Sequence, residues 1–160
     1  MISYSAEQTS ELGANLAQLL LPGDVVGFFG ELGSGKTRLI QGICTGLQCR
    51  EIVSSPTFVI INEYHGRFPI YHFDLYRIES EQEIFDLGYE EYLYGAGICL
   101  IEWAERMPSL LPKERLEIHL QSMFQPGQEQ WREIAIEPIG SLLQQRDWSA
   151  VLKRTSSGKK

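Results

Sequence analysis

The spacing of apolar residues predicts a helix, a buried strand and a second helix near the start of the chain. In residues 5–20, leucines recur at helical spacing, with Ser5 as a helix N-cap and Gln8 as its capping-box partner. Residues 25–29, VVGFF, form a continuous apolar run with the length of a buried strand. Residues 36–47 place apolar side chains every three or four positions, which predicts an amphipathic helix.

The rest of the chain carries mainly strand patterns. Residues 57–64 and 68–78 are rich in β-branched and aromatic residues and are joined by HGR, which predicts an antiparallel hairpin. Residues 97–103, GICLIEW, are typical of a short central strand that ends in an acid. Residues 115–123 and 131–139 flank FQPGQEQ and predict a second hairpin.

Two further helical segments complete the order of elements. Residues 80–93 begin with Ser80 and Glu83 in capping-box relation and predict one or two short helices. Residues 140–153 predict a closing helix. A strand and helix around a glycine-rich loop, followed by two hairpins, predict a layered α/β domain whose central sheet is mixed and partly antiparallel.

The composition is that of one soluble domain. The chain has 160 residues, of which 43% are apolar, enough for a single core. We expect one domain over residues 1–150 and a basic, flexible tail over residues 151–160. No apolar run approaches the roughly 20 residues of a membrane span, and the first residues lack the pattern of a signal peptide. The expected compartment is therefore the cytoplasm.

The charge balance argues against direct binding of nucleic acid. The chain has 14 basic and 21 acidic residues and a net charge of −7. The last eight residues, KRTSSGKK, hold 4 of the basic residues and no acid, so the rest of the chain is more acidic still. An acidic body of this kind is not attracted to a phosphate backbone.

The segment GELGSGKT, between the first predicted strand and the second helix, matches the Walker A pattern G-x-x-x-x-G-K-[ST]. Glycines let backbone amides converge on phosphate oxygens, and the helix start directs its positive dipole end at the same anion. Lys36 supplies a cation for the β- and γ-phosphates, and the Thr37 hydroxyl is a Mg²⁺ ligand. Adenine is favoured over guanine because no N-K-x-D segment occurs. The residues expected to bind nucleotide here are Gly30, Gly33, Ser34, Gly35, Lys36, Thr37 and Arg38.

A P-loop also needs an acid at the end of another apolar strand. Asp74 and Glu102 both meet that description, and the residues leave their roles open: one would enter the metal shell and the other would orient or deprotonate the attacking water. Thr57 is a further candidate for Mg²⁺ or the γ-phosphate, although its local context fits a plain turn residue. Arg77 lies three residues beyond Asp74, and its expected side of the strand favours a partner surface or a salt bridge over a catalytic arginine.

These segments together resemble one family. GDVVGFFGELGSGKT, SPTF, HFDLYR, LGYEEYL and LIEW occur in this order, and with their spacing over about residues 5–135 they closely resemble the TsaE family of small bacterial P-loop ATPases. The resemblance implies a P-loop NTPase-like three-layer fold and a role in making threonylcarbamoyladenosine in tRNA. It also implies an accessory ATPase that binds ATP and Mg²⁺, releases ADP, and works at the interface of TsaD and TsaB, with tRNA reached only through that complex.

The resemblance also implies roles for individual residues. Thr37 and Glu102 would be magnesium-site residues, and Asp74 would be essential to hydrolysis together with Lys36. Thr57 would be a switch-like residue near the γ-phosphate.

Three assignments are made by position in the family pattern. Trp103 would lie beside the nucleotide or the partner surface, Thr9 near the adenine, and Arg132 near the nucleotide. Ser34 stands where alanine is common, a departure that removes no phosphate, metal or water contact.

Two other functions remain open at the level of sequence. One is a nucleotide-controlled binding module in which ATP binding, and not hydrolysis, controls assembly. The other is a small-molecule kinase, although the arginine-rich lid of many P-loop kinases is not visible.

Overall fold

A mixed β-sheet organises the chain in the computed structural model, which describes residues 1–123 and 126–151. Its strands are β1 (Ile2–Ser3), β2 (Val25–Phe29), β3 (Ile61–His65), β4 (Pro69–Asp74), β5 (Ile98–Glu102), β6 (Arg115–Ser122) and β7 (Arg132–Ile139). Within the described residues the strand order is β1-β7-β6-β2-β5-β4-β3. The central strands β6, β2, β5 and β4 run parallel, whereas β3 pairs with β4, and β7 with β6 and β1, in antiparallel fashion. The expected mixed sheet is confirmed.

Helices cover the sheet on both sides. They are α1 (Ala6–Leu16), α2 (Lys36–Gly46), α3 (Glu81–Asp86), α4 (Tyr89–Leu93) and α5 (Ser141–Gln144), with 3₁₀ turns at Ala104–Arg106 and Pro108–Leu110. None of the described helices combines the length and apolar character needed to cross a membrane.

Successive side chains of the central strands point to opposite faces of the sheet and pack in two apolar cores. In β2, Val26 and Phe28 pack in the core that α1 and α2 cover, whereas Val25 packs in the core that α3 and α4 cover. In β5, Leu100 and Ile101 divide in the same way. Strands that are buried on both faces read as continuous apolar runs, as VVGFF does. The result is the expected three-layer α/β arrangement.

Helices α1 and α2 pack at close range through glycines. A Cβ atom at Gly42 would overlap the backbone carbonyl of Ser10, and one at Gly13 would overlap the carbonyl of Leu39. Each glycine therefore admits the backbone of the opposite helix, which leaves no room for a side chain. Because α2 begins in the Walker A loop, this contact also fixes the helix that carries the loop.

The predicted first hairpin is correct in topology and too long at both ends. Residues 57–60 form a turn, because the backbone amides of Val59 and Ile60 both donate to the carbonyl of Pro56. Strand β4 ends at Asp74 and not at residue 78, because the Asp74 carboxylate accepts a hydrogen bond from the amide of Tyr76 and turns the chain.

The ends of the chain also differ from the sequence prediction. The N-cap at Ser5 is confirmed, but the Gln8 side chain accepts from the amide of Tyr4 and not from Ser5. The helix predicted over 140–153 is broken after α5, where Arg146 turns to form an ion pair with Asp24. Strand β1 was missed because two residues carry no periodic signal. Residues 152–160, which hold nearly all of the predicted tail, lie outside the described residues.

The α1–α2 contact can be tested with a single methyl group. An isolated helix gains stability when an interior glycine becomes alanine, but Gly42→Ala forces the two helices apart. We expect the free energy of unfolding to fall by about 1–3 kcal/mol, the usual cost of overpacking, in urea denaturation followed by circular dichroism. Thr45→Ala, at an exposed position of the same helix, is the control and should leave stability nearly unchanged. A Gly42→Ala protein as stable as this control would contradict the close contact.

Candidate functional site

Parallel pairing brings the two strand-end acids to the edge where the glycine-rich loop begins. Glu102 at the end of β5 pairs in register with Phe28 of β2 on one side and with Asp74 of β4 on the other. The loop leaves β2 at this same edge. Ligand sites of open α/β sheets form at the carboxyl ends of the strands, and the candidate site lies there.

The loop backbone adopts conformations that require glycine. Gly30 has φ 139°, and a Cβ atom there would overlap the carbonyl of Leu120. Gly35 has φ 101° and caps α2 without a side-chain hydrogen bond. The first amides of an α-helix have no partner within the helix, so the start of α2 presents them, with the positive end of its dipole, to an anion.

Lys36 is held against its own loop. Its side chain is almost completely buried, and Nζ donates to the carbonyl oxygens of Gly30 at 2.6 Å and Glu31 at 2.9 Å. Burial lowers the pKa of Lys36, and the neighbouring carboxylates, Glu102 first among them, oppose that shift. The same Nζ lies 3.8 Å from the centre of the Trp103 ring. The ammonium group is therefore held by two loop carbonyls and one aromatic ring. A phosphate group that binds in the loop would have to replace these contacts.

Trp103 occupies a strained position directly after β5. Its φ of 60° and ψ of 40° are those of a left-handed residue, a conformation that costs a non-glycine residue roughly 1–3 kcal/mol and is concentrated at functional sites. The ring contacts Lys36 on one side and packs against Tyr76, with ring centres 4.8 Å apart. The backbone strain thus places an aromatic wall over the lysine.

Glu102 is buried and hydrogen-bonded from two sides. Thr37 Oγ1 donates to Glu102 Oε1 at 2.9 Å, which joins the last residue of the Walker A motif to the strand-end acid. His72 Nε2 lies 2.9 Å from the same oxygen. His72 was missed from the sequence, although it lies two residues before Asp74 and therefore on the same face of β4.

Asp74 is held by hydroxyl groups of the segment after α2. Ser55 Oγ and Thr57 Oγ1 both donate to Asp74 Oδ2, the latter at 3.0 Å, and the two hydroxyls are themselves 2.9 Å apart. Thr57 begins the turn over residues 57–60, and the structure places its side chain against the acid. Ser55 was missed, and its only signal was its place in the SSPTF segment beside Thr57.

These groups face one open pocket of about 390 Å³. The wall consists of Leu32, Gly33, Gly35, Lys36, Thr37, Arg38, Ser55, Thr57, Asp74, Tyr76, Glu102 and Trp103. The predicted metal and catalytic residues and most of the predicted phosphate residues thus share this wall, whereas Gly30 and Ser34, although in the loop, do not line it.

Other predicted residues lie beside the pocket or away from it. Arg132 donates from Nη2 to the carbonyl of Gly33 at 3.2 Å and so contacts the loop from β7. Thr9 is buried in α1, with its hydroxyl 2.8 Å from Ser3 Oγ, and does not line the pocket. Arg77 lies in the turn after β4, with its guanidinium 4.4 Å from the centre of the Phe58 ring. A nucleotide contact by Thr9 stays a prediction.

The donor set fits magnesium. Mg²⁺ prefers oxygen ligands and is usually bound through one or two carboxylates and phosphate oxygens. The Thr37 hydroxyl and the Glu102 carboxylate are such donors, lie next to each other, and face the phosphate loop. Among the described residues, no sulfur or imidazole ligand lines this pocket wall, so its chemistry suits a hard cation rather than zinc.

Comparison with known proteins gives a consistent picture. Residues 3–130 match the profile of the family described as "TsaE: Threonylcarbamoyl adenosine biosynthesis protein TsaE". The chain is 41% identical to the tRNA threonylcarbamoyladenosine biosynthesis protein TsaE of Treponema pallidum, over 80% of this chain and 95% of the relative. It is 43% identical to the protein of that name from Bacillus subtilis, over 87% and 85% of the two chains. The crystal structure of B. subtilis YdiB superimposes with a TM-score of 0.76 at 32% identity, covering 98% of this chain and 92% of that one.

The contact between Lys36 and Trp103 predicts an optical signal for ligand binding. A phosphate group in the loop draws the ammonium away from the indole ring, whose emission responds to a nearby cation. We expect ADP to change the tryptophan fluorescence of the wild-type protein and Trp103→Phe to remove most of that change. Trp131→Phe is the matched control, since Trp131 does not line the pocket. If Trp103→Phe keeps the full change, the lysine does not leave the ring.

Proposed function

The chain belongs to the TsaE family and takes part in the biosynthesis of threonylcarbamoyladenosine in tRNA, and on that premise we propose that it acts there as a Mg²⁺-dependent ATPase. The observation that supports the proposal is the single pocket in which Lys36 and Thr37 of the phosphate loop meet Asp74 and Glu102. A loop that binds phosphate, next to a buried acid on each of two neighbouring strands, is the arrangement that phosphoryl transfer to water requires.

The loop and Lys36 supply the phosphate-binding part. The amides at the start of α2 donate hydrogen bonds to phosphate oxygens. Lys36 exchanges its contacts with the carbonyls of Gly30 and Glu31 for contacts with the β- and γ-phosphates. Arg132 and Arg38 lie next to the loop and add positive charge near the phosphates.

Asp74 supplies the carboxylate for the attacking water. Both of its oxygens accept hydrogen bonds from groups of this chain: Ser55 and Thr57 on Oδ2 and the amide of Tyr76 on Oδ1. A carboxylate held in this way can orient a water or accept its proton. Thr57, on the segment after α2, is then a switch-like residue whose hydroxyl moves between Asp74 and the γ-phosphate.

Thr37 and Glu102 would hold the magnesium ion. When bound, Mg²⁺ neutralises charge on the β- and γ-phosphate oxygens. The role of this chain's residues is to orient the Thr37 hydroxyl and the Glu102 carboxylate, already 2.9 Å apart, toward one point at the end of the loop.

The surroundings of the pocket support a partner-dependent role. Leu32, in the loop, and Phe58 and Val59, beside Thr57, are large apolar residues with 75%, 82% and 62% of their surface exposed. Apolar side chains exposed next to a functional site are typical of protein–protein contacts. We propose that TsaB and TsaD dock here, that tRNA is reached only through them because this chain is acidic, and that the complex works in the cytoplasm.

Removing the ammonium group of Lys36 tests the phosphate site. Lys36→Ala deletes the cation at the β- and γ-phosphates, so we expect ATP affinity to fall at least about tenfold, the loss of one charge-assisted bond, and hydrolysis to be abolished. Affinity is measured by isothermal titration calorimetry and hydrolysis by phosphate release. Lys113→Ala, at an exposed position, is the control. An unchanged ATPase rate in Lys36→Ala would refute the proposed enzyme.

Asp74→Asn separates hydrolysis from nucleotide-controlled assembly. The amide keeps the shape of the carboxylate and loses its basicity, so we expect hydrolysis in the presence of TsaB and TsaD to fall by about 10²–10⁴-fold while ATP binding is retained. The exposed Asp86→Asn is the control. If tRNA modification continues through repeated cycles with Asp74→Asn, ATP binding alone is sufficient and the protein is an assembly module.

A further inference from the structure

His72 is a completely buried ionisable residue that none of the roles above uses. It lies in β4 opposite Leu100 of β5, with 0% of its surface exposed. Its Nε2 has Glu102 Oε1 as a partner at 2.9 Å, whereas Nδ1 is buried and has no hydrogen-bond partner among the described residues. Burial of a polar ring costs free energy unless hydrogen bonds replace those that it made with water.

The partners of the ring define its tautomer. With Glu102 Oε1 as the acceptor of this hydrogen bond, the ring carries its hydrogen on Nε2. Nδ1 is then a bare acceptor, and an unpartnered acceptor is tolerated in protein interiors more readily than an unpartnered N–H. The Nε2–H tautomer therefore satisfies the site with one donated hydrogen bond.

That hydrogen bond fixes one oxygen of Glu102 and leaves the other available. Thr37 and His72 both donate to Oε1, one from the phosphate-loop helix and the other from the neighbouring strand. Oε2 receives no hydrogen bond from the described residues, and Glu102 lines the pocket. Thr37 lines the open pocket, whereas the His72 ring is completely buried.

We propose that His72 is a positioning residue: its Nε2–H anchors Glu102 Oε1, so that Oε2 is directed at the Mg²⁺ shell. The inference rests on the proposed function, because it assigns Glu102 to the metal. Partners that hold a ligand carboxylate in place typically contribute a factor of about 10–100 in metal affinity. His72 itself contacts neither nucleotide nor metal.

Two substitutions separate the donated hydrogen bond from the volume of the ring. His72→Gln places an amide N–H close to the position of Nε2, whereas His72→Phe retains the ring size and removes the donor. The binding of adenylyl imidodiphosphate, a non-hydrolysable ATP analogue, is measured by isothermal titration calorimetry in EDTA and across a Mg²⁺ titration. The readout is the Mg²⁺ concentration that gives half of the full effect on binding.

His72→Phe should raise that Mg²⁺ concentration by about 10–100-fold and leave the affinity in EDTA unchanged, while His72→Gln should stay near wild type. An unchanged Mg²⁺ dependence in His72→Phe, or a loss in His72→Gln equal to that in His72→Phe, would overturn the inference. A wild-type protein that ignores Mg²⁺ would instead refute the metal site of the proposed function, and that result is seen before any variant is compared.

A measurement on the wild-type protein covers the case in which a variant fails to fold, as thermal melting would show. Long-range ¹H–¹⁵N correlation spectra of imidazole nitrogens distinguish the two neutral tautomers. We expect His72 to carry its hydrogen on Nε2. A hydrogen on Nδ1 alone would overturn the inference, since Nε2 would then have no hydrogen to donate to Glu102.

Discussion

The parallel register of three strands is the constraint on which the site depends. Because β2, β5 and β4 pair in parallel, Phe28, Glu102 and Asp74 end at the same level of the sheet. A shift of one residue in either pairing would turn an acid to the other face of the sheet. The two apolar cores fix that register, since each strand buries alternating side chains on both faces. Packing far from the pocket therefore sets the geometry within it.

The charged side chains of the site are buried, so each depends on its polar contacts to offset the loss of water. Lys36, Asp74 and Glu102 are each at most 4% exposed, and a buried charge is tolerated only when hydrogen bonds or opposite charges replace water. The chain provides them locally: carbonyls for the lysine, hydroxyls for Asp74, and a hydroxyl and an imidazole for Glu102. These local contacts replace water around all three buried side chains.

The strongest sequence signals were those in which the functional residues are neighbours along the chain. The Walker A segment is contiguous, so its loop, its glycines and the start of α2 followed from local pattern alone. The apolar runs before Asp74 and Glu102 marked both acids as candidates for the site. Ser55 and His72 were missed because no local motif marks either residue. Their roles depend on the acids that the fold places beside them. The ends of β4 and of the last helix were misplaced because Asp74 and Arg146 form bonds that periodicity does not register.

The sequence by itself determined the type of fold, the phosphate loop and the identity of the two acids, because short-range patterns of apolar residues and glycines carry that information. The tertiary structure alone decided which hydroxyls hold Asp74, that Thr37 and His72 share one oxygen of Glu102, and that Lys36 lies under Trp103. Those contacts join residues separated by 17 to 67 positions, and their geometry follows from strand register and helix packing.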